Sequence, residues 1–252
     1  RPMPSSRLRA LAAGMPRASW PVRRSGVPCV VRGNAVVRRC WWFLICLALL
    51  PQVAGAARVY TARDGLPQNA VMALARDGEG FLWVGTHGGL ARWDGYRFRA
   101  FRPDPDDAGA LPDGFIQTLA VDQQGRLWVG TSNGLARYDS SREKFVSYRV
   151  GPNGLRHGTV LGIADDRAGG LYVATIGGLD RLDVAKGTVT PAHGDSADAT
   201  GLPPGRVAAV LVDRDGTLWV ATGKALARRV AGQTAFTRFP LPTDDPQSPL
   251  VE

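Results

Sequence analysis

One unit is written four times in this chain, and that constrains the fold more than any other feature. Its most recognisable stretch reads Asp77-Gly-Glu-Gly-Phe-Leu-Trp-Val-Gly-Thr86, Asp122-Gln-Gln-Gly-Arg-Leu-Trp-Val-Gly-Thr131, Asp166-Arg-Ala-Gly-Gly-Leu-Tyr-Val-Ala-Thr175 and Asp213-Arg-Asp-Gly-Thr-Leu-Trp-Val-Ala-Thr222. The aromatic anchors Trp83, Trp128, Tyr172 and Trp219 are 45, 44 and 47 residues apart. A leucine stands seventeen residues before each anchor (Leu66, Leu111, Leu155, Leu202) and another seven after it (Leu90, Leu135, Leu179, Leu226). No gap falls inside a unit, so insertions occur only between units.

Each unit reads as four short strands. In the first, Val71 to Ala75 alternates and stops at the Asp77-Gly78 turn, Phe81 to Thr86 and Gly89 to Trp93 follow, and Tyr96 to Phe101 closes after Asp94-Gly95. β-branched and aromatic residues broken by glycine every 8 to 12 positions favour antiparallel strands over helices. A period in the mid forties with this content predicts an all-β fold of β-propeller blades. The blades fall at about 66–101, 111–148, 155–190 and 202–239 within a propeller region 57–240, with 241–252 as the start of the next blade. Four units are expected to be part of a larger ring of about seven blades. The anchor aromatics read as packing between blades, and the small residue two positions later (Gly85, Gly130, Ala174, Ala221) as a close approach of the neighbouring sheet. Arg58-Val59-Tyr60-Thr61 aligns with a closing strand but precedes the first blade, so it is expected to complete the last blade of the full ring.

The pattern GLP, V-x-x-L-x-x-D-x-x-G-x-LWVGT, GL-x-R-x-D, complete in Leu66 to Asp94 and in Leu111 to Asp139, resembles the two-component regulator propeller repeat. The later units depart from it at Tyr172, Ala174, Ala221, Ala225 and Val230. The resemblance implies an exported sensor in which such propellers precede a membrane span and a cytoplasmic histidine kinase or diguanylate cyclase. No kinase or cyclase motif stands in this chain, so the resemblance implies the sensing part of a larger receptor, anchored through a span outside it, and no enzyme activity for this segment.

Charge separates the chain into two regions. The first 56 residues hold nine arginines and no acidic residue, whereas the remaining 196 carry 22 basic and 22 acidic groups. A neutral folded part is a poor candidate for nucleic-acid binding, which rests on phosphate neutralisation. Cys40 to Leu50 is an unbroken apolar run after Arg38-Arg39, followed by Pro51 and Ala54-Gly55-Ala56. Residues 38–56 thus read as a signal peptide, too short for a membrane helix of about 20 residues, behind a basic leader at 1–37. Export places the protein in the periplasm. All three cysteines, Cys29, Cys40 and Cys46, precede Ala57, which leaves the repeats without a disulfide or a CxxC metal site.

Chemistry-bearing motifs are sparse. His87, His157 and His193 share no ligand spacing, Asp213-Arg-Asp-Gly216 lacks the remaining oxygen positions of a calcium loop, and no G-x-S-x-G, Walker or dinucleotide fingerprint occurs. No cofactor or metal is expected. Two function classes remain beside a plain interaction scaffold: a sensor of an extracellular small molecule or glycan, which could also pair with a second copy of itself, and an exported propeller enzyme of the streptogramin-lyase type. Strand order decides which face would bind. First-to-second and third-to-fourth turns lie at one end of each blade, with repetitive chemistry such as Gln123-Gln124. Second-to-third turns and blade connectors lie at the other end and differ from blade to blade. Contacts are therefore expected from His87, Asn133, His157, Arg206 and Lys224 at the second end, on variable loops held by a repetitive scaffold.

Overall fold

The computed structural model describes residues 58–192, 201–203 and 205–240. The expected leader at 1–37, the expected signal peptide at 38–56, His193 and residues 241–252 lie outside the described residues. Four sheets of four strands follow one another: β1 (Val71–Arg76), β2 (Leu82–Thr86), β3 (Gly89–Trp93) and β4 (Phe98–Phe101); β5 (Ile116–Val121), β6 (Leu127–Thr131), β7 (Gly134–Asp139) and β8 (Lys144–Tyr148); β9 (Val160–Asp165), β10 (Gly170–Thr175), β11 (Gly178–Asp183) and β12 (Thr188–Pro191); β13 (Val207–Val212), β14 (Leu218–Thr222), β15 (Ala225–Arg229) and β16 (Thr237–Pro240). Each sheet is an antiparallel meander in chain order. The expected strands are present, with two starts shortened: β2 begins at Leu82 rather than Phe81, and β4 two residues after Tyr96. Asp94 Oδ1 accepts the amides of Tyr96 and Arg97, which holds those two residues in the turn, so β4 begins at Phe98.

The repeated Asp sets the first hairpin. Asp77 Oδ1 accepts the amides of Glu79 and Phe81, and its Oδ2 accepts the Trp83 indole N–H at 2.7 Å. Asp122 and Trp128 repeat the side-chain bond at 2.8 Å, and Asp213 and Trp219 at 3.2 Å. The third blade has Tyr172 in the anchor position, and there Arg181 on β11 turns to the Asp166 carboxylate instead. One acceptor thus shapes the turn and satisfies a buried indole, which would otherwise cost the desolvation of an unpaired donor.

The first strands β1, β5, β9 and β13 pack side by side in series. Between them the seams fill with apolar side chains from both sheets: Trp83, Leu90 and Phe101 of the first blade against Leu111, Ile116, Leu127 and Tyr138 of the second, then Trp128 and Leu135 against Leu155, Val160 and Leu182. Trp83 and Trp128 are fully buried. The small residues are required by these seams, because a Cβ on Gly85 would stand 2.6 Å from Ile116 Cγ2, and one on Gly130 2.6 Å from Thr118 Cγ2 and 2.8 Å from Val160 Cγ1. In the third blade the glycine has moved to the facing strand, where Gly162 pairs with Ala174. Gly130→Ala is accordingly expected to cost about 1–3 kcal/mol by overpacking, with partial recovery when Thr118→Gly is added. A urea midpoint that Gly130→Ala leaves unmoved would show that the seam yields freely.

The four described sheets form an open series rather than a closed ring. Their two outward faces are apolar and uncovered: Leu74 is 62% exposed on β1 and Leu211 60% on β13. Leu226 is 37% exposed although its counterparts Leu90, Leu135 and Leu179 are wholly buried. Each sheet also carries a bulge at the same point of its first strand, with Met72, Gln117, Leu161 and Ala208 as the extra residues.

Candidate ligand-binding face

The second-to-third turns are locked by a threonine. Thr86, Thr131, Thr175 and Thr222 donate from Oγ1 to the carbonyls of Gly89, Gly134, Gly178 and Ala225 at 2.7–3.0 Å. The same hydroxyls accept the amides of Gly88, Asn133 and Lys224. Gly89, Gly134 and Gly178 take φ between +130° and +138°, which a glycine adopts without strain. What varies on this lock is a pair of residues: His87-Gly88, Ser132-Asn133, Ile176-Gly177 and Gly223-Lys224.

The five expected contact residues do not share one environment. His87 lies flat on Phe115, with ring centroids 3.9 Å apart, and its Nε2 is buried without a hydrogen-bond partner. It ties the first blade to the connector leading into the second. His157 Nδ1 accepts the Thr159 amide at 3.0 Å, as Asp113 Oδ1 accepts the Phe115 amide one blade earlier. Asn133 is exposed beside the same connector, where Gly134 N–H donates to the Gly158 carbonyl at 2.7 Å and Thr159 Oγ1 to the Ser132 carbonyl. Asn133 and His157 are therefore neighbours across the second seam. Arg206 and Lys224 are both exposed on the fourth blade.

Two further features of this end escape a reading of the sequence. Bulge residues project from the innermost strands here, and Gln117 already reaches Ser132 Oγ at 3.2 Å. Their variation over Met72, Gln117, Leu161 and Ala208, at one aligned position, was the available signal. Beside His157, Arg156 Nε donates to Asp180 Oδ1 at 2.7 Å and its backbone amide to Oδ2 at 3.1 Å; the Asp180 side chain is completely buried. The other blades carry Pro67, Pro112 and Pro203 in place of Arg156, and Ala91, Ala136 and Ala227 in place of Asp180.

The opposite end is less uniform than its turn sequences imply. Each seam there has its own stitch: Gly78 N–H to the Gly125 carbonyl at 3.0 Å, Gln123 N–H to Asp165 Oδ2 at 2.9 Å, and Arg167 Nη1 to the Arg214 carbonyl at 2.7 Å. Two concavities open at this end, one of about 450 Å³ along Val121, Ile163 and Val210 and one of about 280 Å³ beside Asp77, Gln124 and Tyr138. Part of their polar lining is engaged already. Asp122 accepts two turn amides, the Trp128 indole and Arg126, while the Tyr138 hydroxyl accepts from Arg92 of the preceding blade. Burial raises the pKa of Tyr138, and the bond from Arg99 lowers that of Glu143, which links the same two blades. Among the described residues, no three His, Cys, Asp or Glu side chains are grouped to hold a metal ion.

Four meandering sheets joined through aromatic seams define a segment of a β-propeller. Its repeats are of a known kind: residues 65–88, 110–133 and 201–224 match the family model Two component regulator propeller. The third unit, with Arg156, Tyr172 and Asp180, is the unmatched one, yet its sheet has the same strand order as the others. Over 52 residues the chain is 40% identical to "Histidine kinase P4" of Formosa agariphila, an alignment that spans 21% of the chain and 4% of that protein. Among solved structures, it is similar to the extracellular domain of the hybrid two component system BT3049 from B. thetaiotaomicron (TM-score 0.64, 24% identity, 72% of this chain and 26% of that one). It is also similar to virginiamycin B lyase from Staphylococcus aureus (TM-score 0.53, 17% identity, 69% and 57%). The two-component extracellular domain is the more similar of the two. The chain spans about a quarter of that extracellular domain and a small fraction of the kinase.

Proposed function

We propose that this chain is the ligand-sensing propeller module of an exported, membrane-bound signalling receptor, read on its connector end. The observation that carries the reading is the set of paired loop residues that vary on a threonine lock common to all four blades. The regulator-propeller repeats and the likeness to a two-component extracellular domain support it. The ligand is a small molecule or glycan, and the output is a histidine kinase or diguanylate cyclase in another part of the receptor. The segment itself performs no catalysis. Its periplasmic location is supported by Arg38-Arg39, the apolar run to Leu50 and Ala54-Gly55-Ala56.

The expected result in the whole receptor is that alanine at Asn133, His157, Arg206 and Lys224 together lowers affinity at least tenfold. The probe is whichever member of an oligosaccharide panel raises the melting temperature of the unaltered protein, and signalling output is read alongside. His87→Ala is expected to act through stability instead, because its ring is packed on Phe115. Affinity unchanged by the fourfold variant but lost on substituting Gln123 and Gln124 would place the site at the turn end and overturn the assignment.

A further inference from the structure

The Arg156–Asp180 pair stands directly behind His157 at the connector end. One oxygen of the buried carboxylate accepts the backbone amide of Arg156, the residue before His157, and the other accepts Nε of the same residue. Nη2 continues to the Leu179 carbonyl, so the guanidinium spans from the connector to the second-to-third turn. It lies so close over that turn that a Cβ on Gly178 would stand 2.5 Å from Nη2. In the first two blades proline covers the aligned glycine by packing alone: a Cβ on Gly89 would stand 3.3 Å from Pro67 Cβ, and one on Gly134 3.6 Å from Pro112 Cβ. The two loops that flank His157 are thus bonded to each other. A Cβ on Gly177 would stand 3.0 Å from His157 Cβ, and the Thr159 amide donates to ring Nδ1. Across the second seam, a Cβ on Gly158 would stand 3.4 Å from Asn133 Oδ1, which brings Asn133 to the same corner. The turn residues aligned with Asn133 in the first and third blades, Gly88 and Gly177, have no side chain. Among the described residues, only the second seam therefore joins two such polar side chains.

We propose that ligand recognition is centred on Asn133 and His157 at the second seam, and that Arg156 and Asp180 are its positioning residues, a role that rests on the connector end being the binding face. A buried ion pair is often no more stabilising than the apolar residues that could replace it, and the other three blades carry proline and alanine instead. What the pair adds is geometry, since it fixes the backbone at His157 and ties it to the turn on its far side. With Nδ1 engaged by the Thr159 amide, the ring meets a ligand through Nε2, while the Asn133 carboxamide can both donate and accept. Two such groups on different blades select a ligand by the spacing of two of its polar groups. That selection requires both to be held in place before binding. Arg206 and Lys224 belong to the fourth blade and lie outside this corner.

Combining Arg156→Pro with Asp180→Ala gives the third blade the pairing of the others and separates positioning from folding. In the ligand-free chain, the Thr159 amide of this double variant is expected to exchange at least about tenfold faster relative to the Val129 amide of β6, which reports global opening. Affinity is measured for the oligosaccharide that raises the melting temperature of the unaltered chain. The double variant and Asn133→Ala are each expected to lower it about tenfold, the scale of one hydrogen bond. Arg206→Ala with Lys224→Ala is expected to change it less than about threefold, as for exposed charges. Thr159 exchange that keeps pace with Val129 overturns the positioning role, and so does affinity kept by the double variant but lost in Asn133→Ala. An equal loss from the Arg206 and Lys224 variant moves the centre off the second seam and overturns the assignment. Affinity untouched by both Asn133→Ala and His157→Ala sinks the connector-end reading itself, and the proposal with it.

Discussion

Asp180→Ala is expected to cost the protein about 3–5 kcal/mol, the penalty of stranding one member of a buried ion pair. The same change combined with Arg156→Pro should return to within about 1–2 kcal/mol of the starting stability, since a buried pair is often no better than the apolar residues that replace it. Asp180 has no solvent exposure, and its carboxylate accepts from Nε and from the backbone amide of Arg156, while Nη2 of the same guanidinium donates to the neighbouring Leu179 carbonyl. Removing the carboxylate takes away the acceptor of the Arg156 Nε–H and amide N–H and the negative charge that balances the guanidinium. Proline removes both problems, because it carries no charge and no N–H. This accounts for the pairing of Pro67 with Ala91, Pro112 with Ala136 and Pro203 with Ala227 in the other blades. The test is a double-mutant cycle in urea. Additive losses would show that the two residues are not energetically coupled and that the third blade tolerates each change separately.

Trp128→Ala is expected to be comparably severe, about 3–5 kcal/mol, through loss of a large buried side chain and the cavity it leaves. Trp128 is fully buried at the second seam among Leu135, Leu155, Val160 and Leu182. Trp219→Ala should cost distinctly less, since Trp219 is half-buried on the uncovered face of the fourth blade while making the same bond to its aspartate. Trp128→Phe separates the two contributions. It keeps most of the packing and removes only the indole donor to Asp122, whose Oδ2 still accepts from Arg126. Equal losses at Trp128 and Trp219 would mean that the bond to aspartate, rather than burial in the seam, carries the anchor's contribution.

The strands were legible because every copy repeats both the alternation of its strands and the Asp-Gly chemistry of its turns. The seams were legible from the recurring tryptophan and the small residue two places on, whose only shared explanation is a close neighbour. The bulge at Met72, Gln117, Leu161 and Ala208 was hidden by that same regularity. All four copies contain it, so no difference in length exposes an extra residue. Arg156 and Asp180 are 24 residues apart. Each departs from the repeat alone, and only the folded blade shows that one departure answers the other. His157 could be read as a loop histidine, but its service as the acceptor in a turn depends on backbone geometry that a side-chain pattern does not carry. The turn-end stitches escaped for a related reason, since most of their donors and acceptors are main-chain groups that every residue possesses.

Those stitches have a consequence for how the chain finds its structure. A protein made of near-identical sheets can pair the wrong neighbours during folding, the characteristic failure of repeat proteins. The aromatic seams offer little protection, because one LWV strand fits another's place. The turn-end stitches break the degeneracy, with a backbone pair at the first seam, a carboxylate receiving an amide at the second and a guanidinium reaching a carbonyl at the third. If the second blade docked against the fourth in place of the third, the Gln123 amide would face Val212, which has no oxygen in its side chain, where Asp165 now receives it.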